Sequence, residues 1–329
     1  MKVLIIGAAG MIGGKVTDRI LAEGSIGESA IENLLLYDIV PSQVADSSPL
    51  PVQARTADLG SPGEAERLVA HRPDLIFHLA AVLSGEAEAD FEKGYRVNLD
   101  NTRALFEAIR GVGDGYKPRV VFTSTIAVFG KPFPDVIGDD FRSAPLTSYG
   151  TEKAMVELML ADYSRRGYLD GIGIRLPTIC VRPGKPNKAA SSFYSNIIRE
   201  PLNGEEAVLP VPDTTRHWFA SPRAAVGFVL HAAALDTGLL GDRRSLTLPG
   251  LSATVGEQIA ALKKVAGESA VRRIRREPDT AILRIIEGWP ERFDTARADA
   301  LGFKAESSFE EIIRIHIEDE LGGLLVASC

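Results

Sequence analysis

Apolar runs and amphipathic stretches alternate along the first half of the chain. KVLIIG (2–7) is apolar at nearly every position, as a strand covered on both faces requires. A helical pattern follows over 10–23. LLLYD (34–38) reads as a second strand and VQARTAD (52–58) as a weaker third. SPGEAERLVAH (61–71) has helical spacing, and DLIFHLA (74–80) is a fourth strand. A long helical pattern fills 88–110, RVVFTST (119–125) is a fifth strand, SYGTEK (148–153) opens a further helix, and GIGIRL (171–176) is a sixth strand. Strand and helix taking turns in this way predict an α/β fold with a doubly wound parallel sheet.

The pattern loosens after about residue 180. VRPGKPN (181–187) reads as a loop, AASSFYSNIIRE (189–200) as a helix and AVLPVP (207–212) as a short edge strand. SPRAAVGFVLHAAAL (221–235) is helical, RSLTLPG (244–250) is a strand, and about three short helices close the chain. The expected division is a domain over 1–180 that carries the chemistry and a smaller, irregular substrate-binding lobe over 181–329, with some segments returning to the first domain.

Composition narrows the partners. Of 329 residues, 45% are hydrophobic and 25% charged, an ordinary globular balance, and the net charge is -7. An acidic chain argues against a general nucleic-acid binder and against a polybasic membrane surface. No run reaches the roughly 18 apolar residues of a membrane span. The two cysteines, Cys180 and Cys329, make neither a disulfide framework nor a zinc ribbon, so no metal is expected and a reducing cytoplasm is the simple setting. The opening MKVLIIGAAGMIGG resembles a signal peptide, but its glycines are spaced for another purpose and no polar cleavage region follows.

That purpose is phosphate binding. GAAGMIG puts Gly7, Gly10 and Gly13 directly after the first strand and into the first helix. Glycine lets the backbone turn and lets a pyrophosphate approach, while the helix start, with Met11 and Ile12, offers free N–H groups. This is a Rossmann-type dinucleotide loop, although its spacing is G-x-x-G-x-x-G rather than the common G-x-G-x-x-G. Asp38 ends the second strand, where a carboxylate can accept from the adenosine ribose hydroxyls; an ordinary strand-end Asp is the alternative. No Lys or Arg lies between Tyr37 and Arg55, and Asp38 would repel a 2′-phosphate, so the expected cofactor is NAD rather than NADP. Asp58 and Leu59 follow the third strand, where an adenine edge can rest. Leu79, Ala80 and Ala81 follow the fourth, where small residues admit a cofactor; His78 reads as a packing or hydrogen-bonding histidine rather than a catalyst.

Tyr149 and Lys153 lie one helical turn apart on one face. A phenol is a poor base at neutral pH. A positive charge roughly 5 Å away stabilises phenolate by about 3 kcal/mol at an effective dielectric near 20, which lowers the pKa by about 2 units. Tyr149 can then take a proton from an alcohol while hydride leaves for the nicotinamide. Lys153 would supply the shift and hold the nicotinamide ribose, and Thr125, ending the fifth strand, would hold the reacting oxygen.

GAAGMIG, HLAA (78–81), VNLDNT (97–102), TSTIAVFG (123–130) and YGTEK (149–153) together resemble the extended short-chain dehydrogenase/reductases, over nearly the whole chain. In that family the hydroxyl residue five positions before the glycine of the fifth-strand motif is catalytic. Counted back from Gly130 it is Thr125, with Ser124 the lesser candidate. The family's tyrosine and lysine fall on Tyr149 and Lys153, and its supporting asparagine on Asn98, which joins the expected cofactor set together with Pro177.

The resemblance implies epimerisation, dehydration or net oxidation. Family dehydratases carry an Asp-Glu pair after the catalytic threonine, and this chain has Ile126 and Ala127 there. Family epimerases have an Asn after the sixth strand and then Tyr-Gly-Pro, where this chain has Arg175-Leu176-Pro177-Thr178 and Val181-Arg182-Pro183-Gly184. RLPTICVRPG, SSFYSNIIRE and TTRHWFASP look most like the members that oxidise C2 of a four-carbon sugar acid. The implied substrate is then a small sugar acid, met by Thr125 and Tyr149. Arg182 is a candidate carboxylate clamp, because a guanidinium can grip a carboxylate at two points; an Arg in a Pro-rich loop is the alternative. Ser191, Ser192 and Asn196 are candidates for the polyol hydroxyls, with helix capping as the alternative for the serines, and Arg216 and His217 sit where relatives contact substrate. ADALGF (298–303) and SSFEEIIRIHIEDEL (307–321) would pack the carboxy-terminal lobe. Amphipathic helices over 99–110 and 151–165 would suit a homodimer, and equally a core-facing stripe. A nucleotide-sugar epimerase and a non-catalytic dinucleotide sensor are the competing functions; the sensor should lack part of the Thr125, Tyr149 and Lys153 set, and this chain keeps all three.

Overall fold

A computed structural model describes residues 1–42, 48, 50–184 and 190–324. Cys329, the latter part of the VRPGKPN loop and Ala189 at the start of the expected helix lie outside the described residues. The chain forms two compact units, and neither is one continuous stretch.

The first unit comprises Met1–Val128, Thr147–Arg175 and Val226–Thr247. Its sheet has seven strands in the order Ser245–Thr247, Asp170–Leu176, Arg119–Thr125, Leu75–His78, Lys2–Ile6, Asn33–Asp38, Val52–Thr56. Neighbours pair in parallel, with Lys2–Ile6 between Asn33–Asp38 and Leu75–His78. The chain therefore winds outward from Lys2–Ile6 in one direction and returns to wind outward in the other. The reversal falls beside the carboxyl ends of Lys2–Ile6 and Leu75–His78, the place where such sheets bind ligands. The inner strands are buried on both faces, which is why they read as unbroken apolar runs. Val52–Thr56 is an edge strand exposed along most of its length, which accounts for its weak sequence signal.

The helical stretch expected over 88–110 is broken into pieces. Ser84–Ala89 and Phe91–Gly94 meet at Asp90, whose extended backbone (φ -131°, ψ 85°) ends one helix while its carboxylate accepts from Lys93 N to cap the next. Tyr95–Asp100 is π-helical and runs into the α-helix Asn101–Val112. The helix Ser148–Arg165 is capped by Thr147, whose hydroxyl accepts from Gly150 N at 3.1 Å.

The second unit comprises Phe129–Leu146, Leu176–Ala225 and the chain from Leu248 onward. Arg216–Ala220 pairs antiparallel with Leu251–Thr254 and parallel with Thr178–Ile179, while Ala207–Leu209 pairs with Ile274–Arg276. Tyr194, Ile197, Ile198, Phe219, Leu262 and Ile312 share one apolar core between this sheet and the helices Ser192–Leu202, Val255–Val271 and Phe309–Glu320. A Thr254–Glu257 capping box starts the second of these helices.

A boundary at residue 180 does not describe this arrangement. Residues 129–146 and 176–180 join the second unit, and 226–247 return to the first because Ser245–Thr247 supplies an edge strand beside Gly173–Arg175. No described helix is long and apolar enough to cross a membrane.

Candidate active site

The glycine loop is forced by contact rather than by turn preference alone. Gly7 has φ +93°, and a Cβ there would lie 2.6 Å from Ala80 N. A Cβ on Gly13 would lie 2.1 Å from Gly7 O. Gly7 N and Ala8 N both donate to Tyr37 O (2.9 and 3.2 Å), and Leu79 N and Ala80 N both donate to Ile6 O (2.8 and 3.0 Å), so three strand ends are laced together. Gly10 precedes the helix Met11–Glu23, which has no side-chain cap and no acid in its first turn. Its first N–H groups are thus left for an anion, with Met11 and Ile12 half-buried beside them.

Asp38 is fastened to that loop. Its Oδ2 accepts from Ala9 N at 2.9 Å, and its Oδ1 accepts from Ile39 N at 2.7 Å. Asp58 Oδ1 accepts from Gly60 N at 2.9 Å, Leu59 is buried, and Ala80 and Ala81 are half-buried. A cradle that any Cβ would fill, an uncapped helix start and a carboxylate held against both fit a dinucleotide. Pro177 is buried in the second unit. Among the described residues no His, Cys, Asp and Glu cluster could hold a metal ion.

The first unit brings Thr125, Tyr149 and Lys153 together. Thr125 Oγ1 accepts from Ala127 N at 3.1 Å, and the hydroxyl acts to lower the Tyr149 phenol. Lys153 is 1% exposed; its Nζ donates to Thr123 O at 2.9 Å, lies 4.5 Å from the Phe122 ring centre and 5.8 Å from that of Tyr149. Burial pushes Lys153 down to about 7, against the opposing pull of the Glu152 and Glu157 carboxylates. The expected lowering of the phenol is reversed here. Tyr149 is pushed up to about 12, by burial first and the Glu152 carboxylate second, with the Thr125 hydrogen bond opposing both.

Two residues near this set have their polar atoms engaged elsewhere. Asn98, expected to meet the cofactor, bonds to protein: its Oδ1 accepts from Val82 N at 2.8 Å, and its Nδ2 donates to Val82 O at 2.9 Å and Glu152 Oε2 at 2.6 Å. Ser124, expected as a lesser substrate contact, points from the other face of the strand. It is buried and donates to Glu157 Oε1, whose carboxylate grips Arg175 through Nε at 2.9 Å and Nη2 at 2.6 Å. His78 matches its packing role: it is buried, and its Nε2 meets Thr102 Oγ1 at 2.8 Å.

The expected substrate residues Arg182, Ser192, Asn196, Arg216 and His217 all belong to the second unit. Arg182 is half-buried, its Nη2 donates to Ser191 Oγ at 3.2 Å, and none of the described carboxylates pairs with it. Ser191 precedes the helix Ser192–Leu202 without capping it, and Ser192 is buried. Asn196 Oδ1 accepts from Arg199 at 2.9 Å. Arg216 and His217 have their polar atoms engaged within the protein. Arg216 Nη1 donates to Ser252 O at 3.1 Å and its Nη2 pairs with Glu257 at 3.3 Å, which ties the strands together. His217 is 2% exposed and stacked on Tyr194, with Nε2 on Thr178 Oγ1 (2.7 Å) and Nδ1 on Pro290 O (3.1 Å), so no polar atom remains for a substrate. Alternation along Arg216–Ala220 turns this histidine into the core.

Sequence reading missed Glu152 and Glu157, two buried acids on the catalytic helix. Their place, one residue before and four after Lys153, was visible; their partners Asn98 and Arg175 come from distant segments.

Residues 3–238 match the model of the NAD dependent epimerase/dehydratase family. A D-erythronate dehydrogenase of Cupriavidus necator is 46% identical over 323 residues, 97% of this chain and 98% of that protein. One from Haemophilus influenzae is 41% identical over 321 residues, 98% of this chain and 100% of that protein. The crystal structure of a nucleoside-diphosphate-sugar epimerase from Agrobacterium tumefaciens aligns with TM-score 0.97 at 63% identity, over 99% of this chain and 96% of that chain.

Proposed function

The chain belongs to the NAD dependent epimerase/dehydratase family and is an NAD-dependent oxidoreductase, and from that premise we propose that it oxidises the C2 hydroxyl of a short sugar acid, D-erythronate, to the 2-oxo acid. The observation that carries the reading is Lys153 Nζ lying 5.8 Å from the Tyr149 ring centre in the unit that also holds Thr125, which is followed by Ile126 and Ala127, where an elimination would need carboxylates. The full-length likeness to two D-erythronate dehydrogenases supports the sugar-acid substrate.

Tyr149 is the base for the C2 hydroxyl proton, a role its phenol, pushed up to about 12, takes once a nearby positive charge lowers it, and the O–H electrons become the carbonyl as hydride leaves C2. NAD, when bound, supplies the hydride acceptor. Thr125, which acts to lower the phenol, holds the same alcohol oxygen. Lys153 places its charge next to the phenol and, with a value near 7, can release or hold a proton near neutrality. Arg182, with no carboxylate of its own among the described residues, is the clamp for the substrate carboxylate, and Ser192 and Asn196, which follow it in sequence, serve the hydroxyls. The cradle of Gly7, Gly10 and Gly13 with Asp38 holds the dinucleotide and favours NAD over NADP.

Absorbance at 340 nm with NAD and D-erythronate tests the reaction: a steady rise is expected, and a flat trace with every sugar acid would abandon the clamp. Tyr149→Phe should abolish the rise while NADH binding, followed by fluorescence, stays near that of the parent. The second reading, a nucleotide-sugar epimerase, is favoured by the name of the 63% identical solved structure; it predicts epimerised nucleotide sugar without accumulation of NADH. A homodimer in a reducing cytoplasm completes the proposal. Leu158, 73% exposed on the helix Ser148–Arg165, and the buried free thiol of Cys180 are in keeping with it, and sedimentation velocity would decide the oligomeric state.

A further inference from the structure

We propose that Glu152 is a positioning residue: its buried carboxylate, fixed through Asn98 to Val82, sets by its charge the pH at which Tyr149 and Lys153 work. The inference rests on Tyr149 as the base.

Glu152 lies between Tyr149 and Lys153 on their helix and is 0% exposed. A buried carboxylate normally carries a cation in direct contact, as Glu157 does with Arg175. Glu152 instead has an amide: Asn98 Nδ2 donates to its Oε2 at 2.6 Å, and among the described residues Oε1 has no hydrogen-bond partner. Space has been made for that oxygen. A Cβ on Gly94 would lie 2.5 Å from Oε1, so glycine at the residue that adjoins the π-helical turn leaves that oxygen its place. The π turn in turn presents Asn98, which grips both the N–H and the C=O of Val82, just past the Leu79–Ala81 stretch. One acid thus joins the catalytic helix to the segment that closes on Gly7.

The charges facing Glu152 make its effect one-sided. From its own helix it meets Tyr149 and Lys153; from Ser84–Ala89 it meets Glu88, whose Oε2 accepts from Ser148 N at 3.0 Å; and the π turn presents the uncharged Asn98. Burial first, and Glu88 last, hold the acid above the usual carboxylate range, while the Asn98 bond and Lys153 pull it down. Its charge holds up both the phenol and the ammonium. Neutralising it must therefore lower both.

Glu152→Gln keeps an acceptor for Asn98 and removes the charge. The acid limb of kcat/KM against pH should move down by about one pH unit. Glu152→Asp, keeping the charge, should return the limb toward that of the parent, and it serves if the glutamine variant fails to fold. A limb unmoved in Glu152→Gln, or moved equally in both variants, would overturn the proposal, because a purely structural acid would lower kcat at every pH alike. Tyr149→Phe in the same assay separates the two ideas. Turnover in that variant would remove the tyrosine base itself; its loss, with an unmoved limb in Glu152→Gln, would remove the Glu152 inference alone.

Discussion

Lys153 and Glu157 stand one turn apart on one helix and answer burial differently. Glu157 is neutralised by Arg175 and further bonded by Ser124, whereas Lys153 has a carbonyl and the face of Phe122 and gives up part of its charge. Glu157→Ala would remove the carboxylate that Arg175, 8% exposed, grips through Nε and Nη2. We expect a loss of about 3–5 kcal/mol in urea unfolding, with a much smaller loss for Ser124→Ala. The buried histidines add a pH term. His78 and His217 are held down to about 3 and about 4, chiefly by burial. Between those values and the unfolded value near 6.5, the unfolded chain binds protons that the folded chain refuses. Their stabilisation is complete above about pH 6.5 and is lost as pH falls, roughly 2 kcal/mol for each by pH 5. Urea midpoints at pH 7 and 5 should show the fall, and His217→Phe should make it shallower. Residue identity alone could not separate Thr125 from Ser124. Strand alternation could, since it turns adjacent hydroxyls to opposite faces, and the same rule applied to Arg216–Ala220 would have sent His217 inward had that strand been foreseen.

At the scale of elements, the strands of the first unit were legible because burial on both faces leaves an unbroken apolar run. The helix over 88–110 was legible as helix but not as four pieces. Nothing in its composition marks the π turn, whose purpose appears only when Asn98 is seen on Val82 and Glu152. The strand Arg216–Ala220 was missed because its pairing with Leu251–Thr254 and Thr178–Ile179 is non-local. The glycine loop was read correctly as a turn, yet the reason for its third glycine is a packing distance. Gly13→Ala would drive a methyl into Gly7 O, so NADH binding measured by fluorescence should fall at least tenfold, whereas Gly14→Ala, 3.9 Å from its nearest neighbour, should be nearly silent.

Over the whole molecule, the doubly wound parallel sheet followed from the alternation of elements; its strand order, the place where it reverses and the exact division of the chain come from the pairing. The sequence allowed some segments after 180 to return to the first domain without saying which; pairing places 226–247 there and gives 129–146 and 176–180 to the second unit. Asp38 belongs to this scale because its carboxylate joins the second strand to the glycine loop. Asp38→Ala should weaken NAD and narrow its advantage over NADP, seen as a fall in the ratio of kcat/KM for the two cofactors.

The return of Ser245–Thr247 to the first sheet also governs how the protein can be made. Ribosomes deliver about 5–20 residues per second, so the seventh strand follows the first by roughly 12–50 s. Meanwhile residues 129–146, which belong with the second unit, are already out and must wait for segments translated after residue 248. Order of synthesis and order of assembly therefore cross, and neither unit can finish before most of the other exists. A gene cut at codon 180, where the helix and strand pattern invites it, would release a sheet short of its edge together with a stretch of chain that has nowhere to pack.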